Sequence, residues 1–169
     1  MIRHERPGDE AAIFAVTEAA FAGHPHSEGT EPYIVDALRA DGDLVASLVV
    51  DDGGQIVGHV AYSPAMLSDG SEGWWVLGPI SVLPARQGEG LGRMLVELGS
   101  NLARERGAKG VILIGDPALY WRFGFVQGTP ITLDGPLAQY LQVLAFSDHI
   151  PTASVGFAPA FAQARVEDR

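Results

Sequence analysis

Apolar positions along this chain change their period several times, and each change predicts an element. The longest regular stretch runs from Leu77 to Gly107. It opens as a buried strand through Val82, turns at Pro84, crosses the glycine-rich segment Gln87-Gly88-Glu89-Gly90-Leu91-Gly92, and continues as one amphipathic helix. Leu91, Met94, Leu95, Leu98 and Leu102 recur at the spacing of a single apolar face. Arg104 and Arg106 fall in the last turn, and Gly107 is placed to cap it. Glycines let a backbone approach a ligand closely, and the first amides of a helix have no acceptor within it. The segment therefore suits a phosphate or pyrophosphate.

The same reading covers the rest of the chain. Ile2 to His4 reads as a short edge strand, and Asp9 opens a helix in which Ile13, Val16 and Ala20 share a face. A polar loop, Gly23 to Gly29, leads to Thr30 as an N-cap, then Glu31 and Pro32 begin a helix through about Ala40. Leu44 to Val50 and Ile56 to Tyr62 are strands of a hairpin that turns at Asp51-Asp52-Gly53-Gly54. A turn near Ser68-Asp69-Gly70 leads to a central strand, Trp75 to Val82. After the long helix, Val111 to Ile114 is continuously apolar, as in a strand buried on both faces. Gly115-Asp116-Pro117 breaks it, Ala118 to Arg122 forms a short helix, Phe123-Gly124-Phe125-Val126 turns back into a strand, and Tyr140 to Phe146 makes one more. No element is assigned beyond Ser147. The order β–α–α–β–β–β–α–β–α–β–β describes a mixed α/β (α+β) domain with helices on both faces of a sheet.

At 169 residues, 47% hydrophobic and 19% charged, the chain is long and apolar enough for one domain with a full core. The domain is expected over residues 1–146, with residues 147–169 as a C-terminal tail available to pack on it. The charged start and the lack of a long apolar run predict a cytoplasmic protein without membrane contact. The absence of cysteine excludes disulfides and a thiolate nucleophile. A net charge of −10 argues against nucleic acid as a partner and favours the approach of a cationic ligand such as an amine. His24 and His26 are spaced to suggest a metal, but no third ligand accompanies them, and no metal is expected. Trp74 and Trp75 read as core or cleft wall.

Gln87 to Gly92 also fits Arg/Gln-x-x-Gly-x-Gly/Ala, the phosphate loop of the GNAT superfamily of N-acetyltransferases, and the chain resembles that family in three further features. A strand ending in Ile80-Ser81-Val82 precedes the loop across Pro84, the loop opens a long helix, and Leu119-Tyr120-Trp121-Arg122-Phe123-Gly124-Phe125 is similar to the family's Tyr-x-Arg-x-Gly-Phe segment. The resemblance spans roughly residues 1 to 146. Gly78-Pro79-Ile80-Ser81-Val82-Leu83-Pro84 and the Gly-Asp-Pro…Tyr…Phe-Gly-Phe block are similar to a subgroup of small bacterial acetyltransferases of the YhbS type.

The resemblance implies a mostly antiparallel central sheet with a splayed central strand pair, acetyl-CoA as cofactor, and transfer of acetyl to a primary amine. Backbone amides of Gln87, Gly88, Glu89, Gly90, Leu91, Gly92 and Arg93 would hold the CoA pyrophosphate. Main-chain groups of Ile80 and Val82 would pair with the pantetheine arm, and an N–H near Ile80 would polarise the thioester carbonyl. Tyr120 matches the family's general acid. The base position is different: Val76, Leu77 and Gly78 cannot accept a proton. Glu28 is the candidate base, with Glu31, His26, His59 or a water chain as alternatives. The acceptor is a small-molecule or peptide amine, and either a monomer or a homodimer is compatible. A non-catalytic acyl-CoA-binding or sensing module is the rival reading. A nucleotide-binding loop fits poorly, because no Lys-Ser/Thr follows and the glycine spacing is not that of a dinucleotide site.

Overall fold

The computed structural model describes residues 1–163. The first half follows the apolar pattern with the unpredicted addition of β4: β1 (Ile2–His4), α1 (Glu10–Phe21), α2 (Glu31–Ala40), β2 (Ala46–Asp52), β3 (Gln55–Pro64), β4 (Met66–Leu67) and β5 (Trp74–Val82). Then come α3 (Leu91–Glu105), β6 (Gly110–Ile114), α4 (Pro117–Tyr120), β7 (Ile131–Thr132), β8 (Leu141–Ala145), β9 (Ala153–Gly156) and α5 (Ala160–Gln163). Six strands form one sheet in the order β1-β2-β3-β5-β6-β8, antiparallel except for β5 beside β6. Leu95, Val96 and Ala103 of α3 pack with Leu48, Val60 and Tyr62 on one face. Ile13 and Val16 of α1 pack with Ile34, Val35 and Leu38 of α2 over Val49 and Ala61 on the other. Among the described residues no helix is long and apolar enough to cross a membrane.

Two irregularities in β5 shape everything near the glycine loop. Opposite β3, the register runs Tyr62↔Leu77 and then Val60↔Ile80, so Gly78-Pro79 is a bulge facing Ala61. An added residue resets the alternation of side chains. Leu77 before the bulge and Ile80 after it both pack toward α3, and Ser81 turns to the α1 face opposite His59. On its other side β5 pairs with β6 only through Trp74↔Gly110, Trp75↔Val111 and Val76↔Ile112. Beyond Val76 the two strands part, β6 keeping β8 and β5 keeping β3.

The apolar face of α3 is narrower than its leucines suggest. Leu95, Val96, Gly99 and Ala103 are buried, whereas Met94 and Leu98 remain 46% and 45% exposed. The Tyr62 side chain sets this rotation. A Cβ on Gly99 would lie 2.0 Å from the Tyr62 hydroxyl, so the helix must present its smallest residue there. A second correction concerns Phe123 to Val126, which is not a strand. Trp121–Phe123 is a 3-10 turn, Gly124 adopts φ 95°, and only Val126 bridges Val143 before Gly128 and Pro130 end the extension. The periodicity also missed a small second sheet, in which β9 lies between β4 and β7. Residues beyond Phe146 thus supply its middle strand, and Ala160 is fully buried.

The predicted caps at Asp9 and Thr30 make no side-chain cap bond. Asp9 instead receives Arg3 at 2.7 and 3.1 Å, and Glu31 receives the hydroxyl of Ser27. A polar row crosses the α1 face of the sheet. Arg39 of α2 donates to both oxygens of Glu5 at 2.8 and 2.9 Å, Ser47 donates to Glu5 at 2.7 Å, and fully buried His59 lies 2.8 Å from Ser47 Oγ through Nε2.

Two outcomes follow from this packing. Gly99→Ala drives a methyl into Tyr62 and lowers stability by about 1–3 kcal/mol, read by urea denaturation. His59 has its pKa pushed down from 6.5 to about 4 by burial, with Arg39 adding to the fall and Glu5 opposing it. The unfolded chain therefore takes up this proton first. The stabilisation is complete above pH 6.5 and is lost as pH falls from 6.5 toward 4, by about 3 kcal/mol. The hydrogen bond from Arg3 holds the Asp9 carboxylate below 3.8, so its loss begins at lower pH. A urea midpoint that stays level between pH 6.5 and pH 4 contradicts the assignment to His59.

Candidate active site

Where β5 leaves β6, a cavity of about 260 Å³ opens between the strand, the start of α3 and the turn after β6. Ile80, Ser81 and Val82 border it from β5, Gln87, Gly92, Arg93 and Val96 from the loop and helix, and Leu119, Tyr120, Arg122 and Phe123 from the far wall. A shallower recess continues from it over Gly88, Gly90 and Leu91, sharing Val82, Gln87, Gly92 and Arg93. Six of the residues expected from the sequence, Ile80, Val82, Gln87, Gly92, Arg93 and Tyr120, thus converge on one opening.

The β5 wall presents its main chain to this opening. Leu83 N–H donates to Val57 at 2.9 Å, which marks the bonded pairs of the β3–β5 ladder. Bonded and non-bonded pairs alternate in an antiparallel ladder, so Ser81 belongs with Leu83, and Ile80 and Val82 direct their N–H and C=O groups away from β3. The side-chain amide of Gln87 reaches Val82 O from that open side at 3.1 Å. At the helix start, Gly90 is the N-cap with φ 85°, a left-handed conformation open to glycine. Met94 N–H makes the first intrahelical bond, to Gly90 O, leaving the amides of Leu91, Gly92 and Arg93 without a helical acceptor. The Gln87 amide itself donates to Pro84 O at 3.4 Å.

Among the described residues the Tyr120 side chain is held by packing, while its main-chain N–H donates to Asp116 O at 3.3 Å. Asp116 caps α4, accepting Ala118 N–H at 2.9 Å, and Pro117 fills the first helical position. Buried Gln142 donates to Gly115 O at 2.9 Å and so fixes the turn that precedes it. The Tyr120 ring packs on Phe123 and Phe125, and a Cβ on Gly115 would meet it at 2.7 Å. Burial raises the Tyr120 pKa above 10, and the nearby Asp116 carboxylate adds to the rise. The phenol keeps its proton at neutral pH.

Charge at the opening is locally positive despite the acidic whole. Arg93 meets Glu97 at 3.2 Å, and Arg122 has no ion pair among the described residues. Arg86, which leads into the loop, is tied to Asp52 at 2.7 Å and to Glu89 at 3.0 Å. Glu89 accordingly turns to Arg86 and borders neither recess. Glu28 is exposed on the α1–α2 connection, and it and Glu31 also lie outside both recesses. His24 and His26 are exposed with ring centres 6.0 Å apart, and no group of three metal-ligating side chains occurs among the described residues. Ser81 and Arg122 join the site although no role was expected of either. Their signal in sequence was position alone, on the predicted central strand and in the Tyr-x-Arg segment.

The sequence profile of the Acetyltransferase (GNAT) family matches residues 13–125. Over 126 residues the chain is 39% identical to the uncharacterized N-acetyltransferase YhbS of Escherichia coli K12, covering 74% of this chain and 72% of that one. A crystal structure of a GNAT family acetyltransferase from Brucella melitensis in complex with acetyl-CoA superposes with a TM-score of 0.86 at 45% identity, covering 95% of this chain and 97% of the other. Escherichia coli YhbS in complex with CoA superposes with a TM-score of 0.87 at 33% identity, over 96% and 92% of the two chains. With most of its length matched by the family profile, and with a splayed strand pair feeding a glycine loop, this chain belongs to the GNAT family of acetyltransferases.

Proposed function

We propose that the chain binds acetyl-CoA along the open edge of β5 and transfers the acetyl group to a primary amine, with Tyr120 as general acid. The observation that carries this reading is the convergence of the unpaired β5 edge, the free α3 amides and Tyr120 on one cavity. These groups fit the cofactor chemically: free N–H groups suit a pyrophosphate, and a strand edge suits an amide-bearing arm. The amides of Gly88 to Arg93 would hold the pyrophosphate, with Arg93 and Arg122 adding positive charge. Acetyl-CoA supplies a thioester whose carbonyl carbon is open to attack by an uncharged amine. Ile80 N–H would stabilise negative charge on the carbonyl oxygen. Tyr120 would donate its proton to the departing sulfur, a role that its raised pKa suits. Glu28, on the α1–α2 connection, is the base that the sequence offered, although it borders neither recess. Net acidity favours a cationic acceptor, a small molecule or a peptide amine.

Acetyl-CoA at about a hundred times its dissociation constant adds roughly 2.7 kcal/mol and raises the thermal midpoint by about 5–10 °C, while ATP and NAD leave it unchanged. Tyr120→Phe lowers kcat roughly 10²-fold or more with little change in acetyl-CoA affinity. Because burial raises the Tyr120 pKa, kcat shows no alkaline fall from this group below pH 10. Absence of a shift with acetyl-CoA, or of CoA release with every member of an amine panel, refutes the reading. An acyl-CoA sensor would show the thermal shift and lose nothing on Tyr120→Phe.

A further inference from the structure

Val76, Leu77 and Gly78 leave the bend of β5 without a proton acceptor, yet an acetylated amine must lose a proton. Directly behind the cleft, Ser81, His59 and Ser47 are all buried, and their row ends at Glu5. Ser47 gives its one hydroxyl hydrogen to Glu5, so its 2.8 Å contact with His59 must be donated by the ring. That places the ring hydrogen on Nε2 and leaves Nδ1 of neutral His59 with a bare lone pair. Neither His59 Nδ1 nor Ser81 Oγ has a hydrogen-bond partner in the protein among the described residues. These two residues are cross-strand partners on β3 and β5, on the same face. Side chains so opposed have Cβ atoms about 5 Å apart, a gap that rotation of a serine hydroxyl toward an imidazole closes. Ser81 borders the cofactor cavity, while Glu5 and Ser47 border a surface recess of about 320 Å³ with Arg39 and His4.

We infer that Ser81, His59, Ser47 and Glu5 form a relay that carries the acceptor amine's proton from the cleft to this surface recess. Ser81, whose Oγ is buried on the α1 side of β5, is the catalytic residue that the nitrogen would meet by entering from that side where β5 and β6 part, and His59 and Ser47 are positioning residues behind it. The inference rests on the acetyl-transfer reading above. As the nitrogen–carbon bond forms and the carbon–sulfur bond breaks, the nitrogen gives its proton to Ser81 Oγ. The Ser81 hydroxyl proton passes to His59 Nδ1, the Nε2 proton to Ser47 Oγ, and the Ser47 proton to Glu5. Each hydrogen moves one place and the ring stays neutral. Glu5 is left with a proton, which it returns to water, and His59 is left with its hydrogen on Nδ1, so the relay resets only when the ring returns to the Nε2–H form. The other groups around His59 leave this path clear. Thr17 of α1 donates its hydroxyl to Ile13 O, and the charged neighbours are Glu5 and Arg39. Burial keeps His59 from holding a charge, which suits a ring that passes a proton without storing it.

Two measurements on the full chain test the relay. Nitrogen NMR of isotopically labelled histidine should find the His59 hydrogen on Nε2 and an Nδ1 resonance that moves in Ser81→Ala. A hydrogen on Nδ1, or no movement, overturns the relay. This measurement needs no acceptor, so its failure is distinct from a failure to acetylate any amine. With the best acceptor of the amine panel, Ser81→Ala should lower kcat roughly 10²-fold at neutral pH and leave the acetyl-CoA KM unchanged. The proton in question leaves only as the nitrogen–carbon bond forms, so the deficit should persist at pH values where the free amine is already unprotonated, and Ser81→Thr should restore most of the rate. Retained kcat in Ser81→Ala, or a deficit that vanishes once the free amine is unprotonated, overturns the relay, as does a deficit of the same size in Glu28→Gln. His59→Gln also removes a core side chain, so Ser47→Ala supplies the second variant, with the same pattern as Ser81→Ala expected.

Discussion

Main-chain hydrogen bonding between β5 and β6 stops after Val76, although each strand keeps its partner on the other side. Unpaired peptide groups are costly inside a protein, and a sheet interior is where they are least expected. The fold tolerates them by turning the gap into a cleft open to ligand and solvent. That constraint orders the elements around it. The helix that follows β5 must begin at the open end, so its own unpaired amides face the same space. The turn after β6 forms the opposite wall and brings Tyr120 across. In the proposed reading, cofactor recognition would use backbone that two regular structures leave unsatisfied, with side chains refining it.

The bulge at Gly78-Pro79 has a second effect that reaches through the sheet. By shifting alternation, it lets Leu77 and Ile80 both serve the α3 side, and it turns Ser81 toward α1. The α3 side is apolar and close-packed at Tyr62 against Gly99. The α1 side carries a polar row from Ser81 to the Arg39–Glu5 ion pair. One backbone irregularity therefore separates a face that anchors the cofactor helix from a face suited to moving protons.

The first half of the fold was legible because its strands and helices bury one face each, so apolar periodicity and turn glycines mark them plainly. Even there, side-chain partners outweighed local signals: Asp9 serves Arg3 in place of capping, and Thr30 makes no cap bond. The cofactor loop was legible because its chemistry resides in consecutive residues. Ser81 was not, since its meaning depends on a bulge that no periodicity reveals and on a histidine one strand away. The rotation of α3 was hidden for a similar reason, because glycine carries no apolar signal, yet Gly99 is where Tyr62 leaves no room for a Cβ. Phe123 to Val126 looked like a strand on side-chain type, but its neighbours Gly124, Gly128 and Pro130 permit only one bridge.

The small sheet has an implication for how the molecule is assembled during synthesis. Its middle strand, β9, is the last of the three to be made, and β4 and β7 bond to it and not to each other. Until Ala153–Gly156 leaves the ribosome, both remain without a ladder partner. The six-stranded sheet, complete by Ala145, can form earlier. The nascent chain can therefore hold a finished cofactor cleft beside a segment around Ile131 that has not yet been fastened.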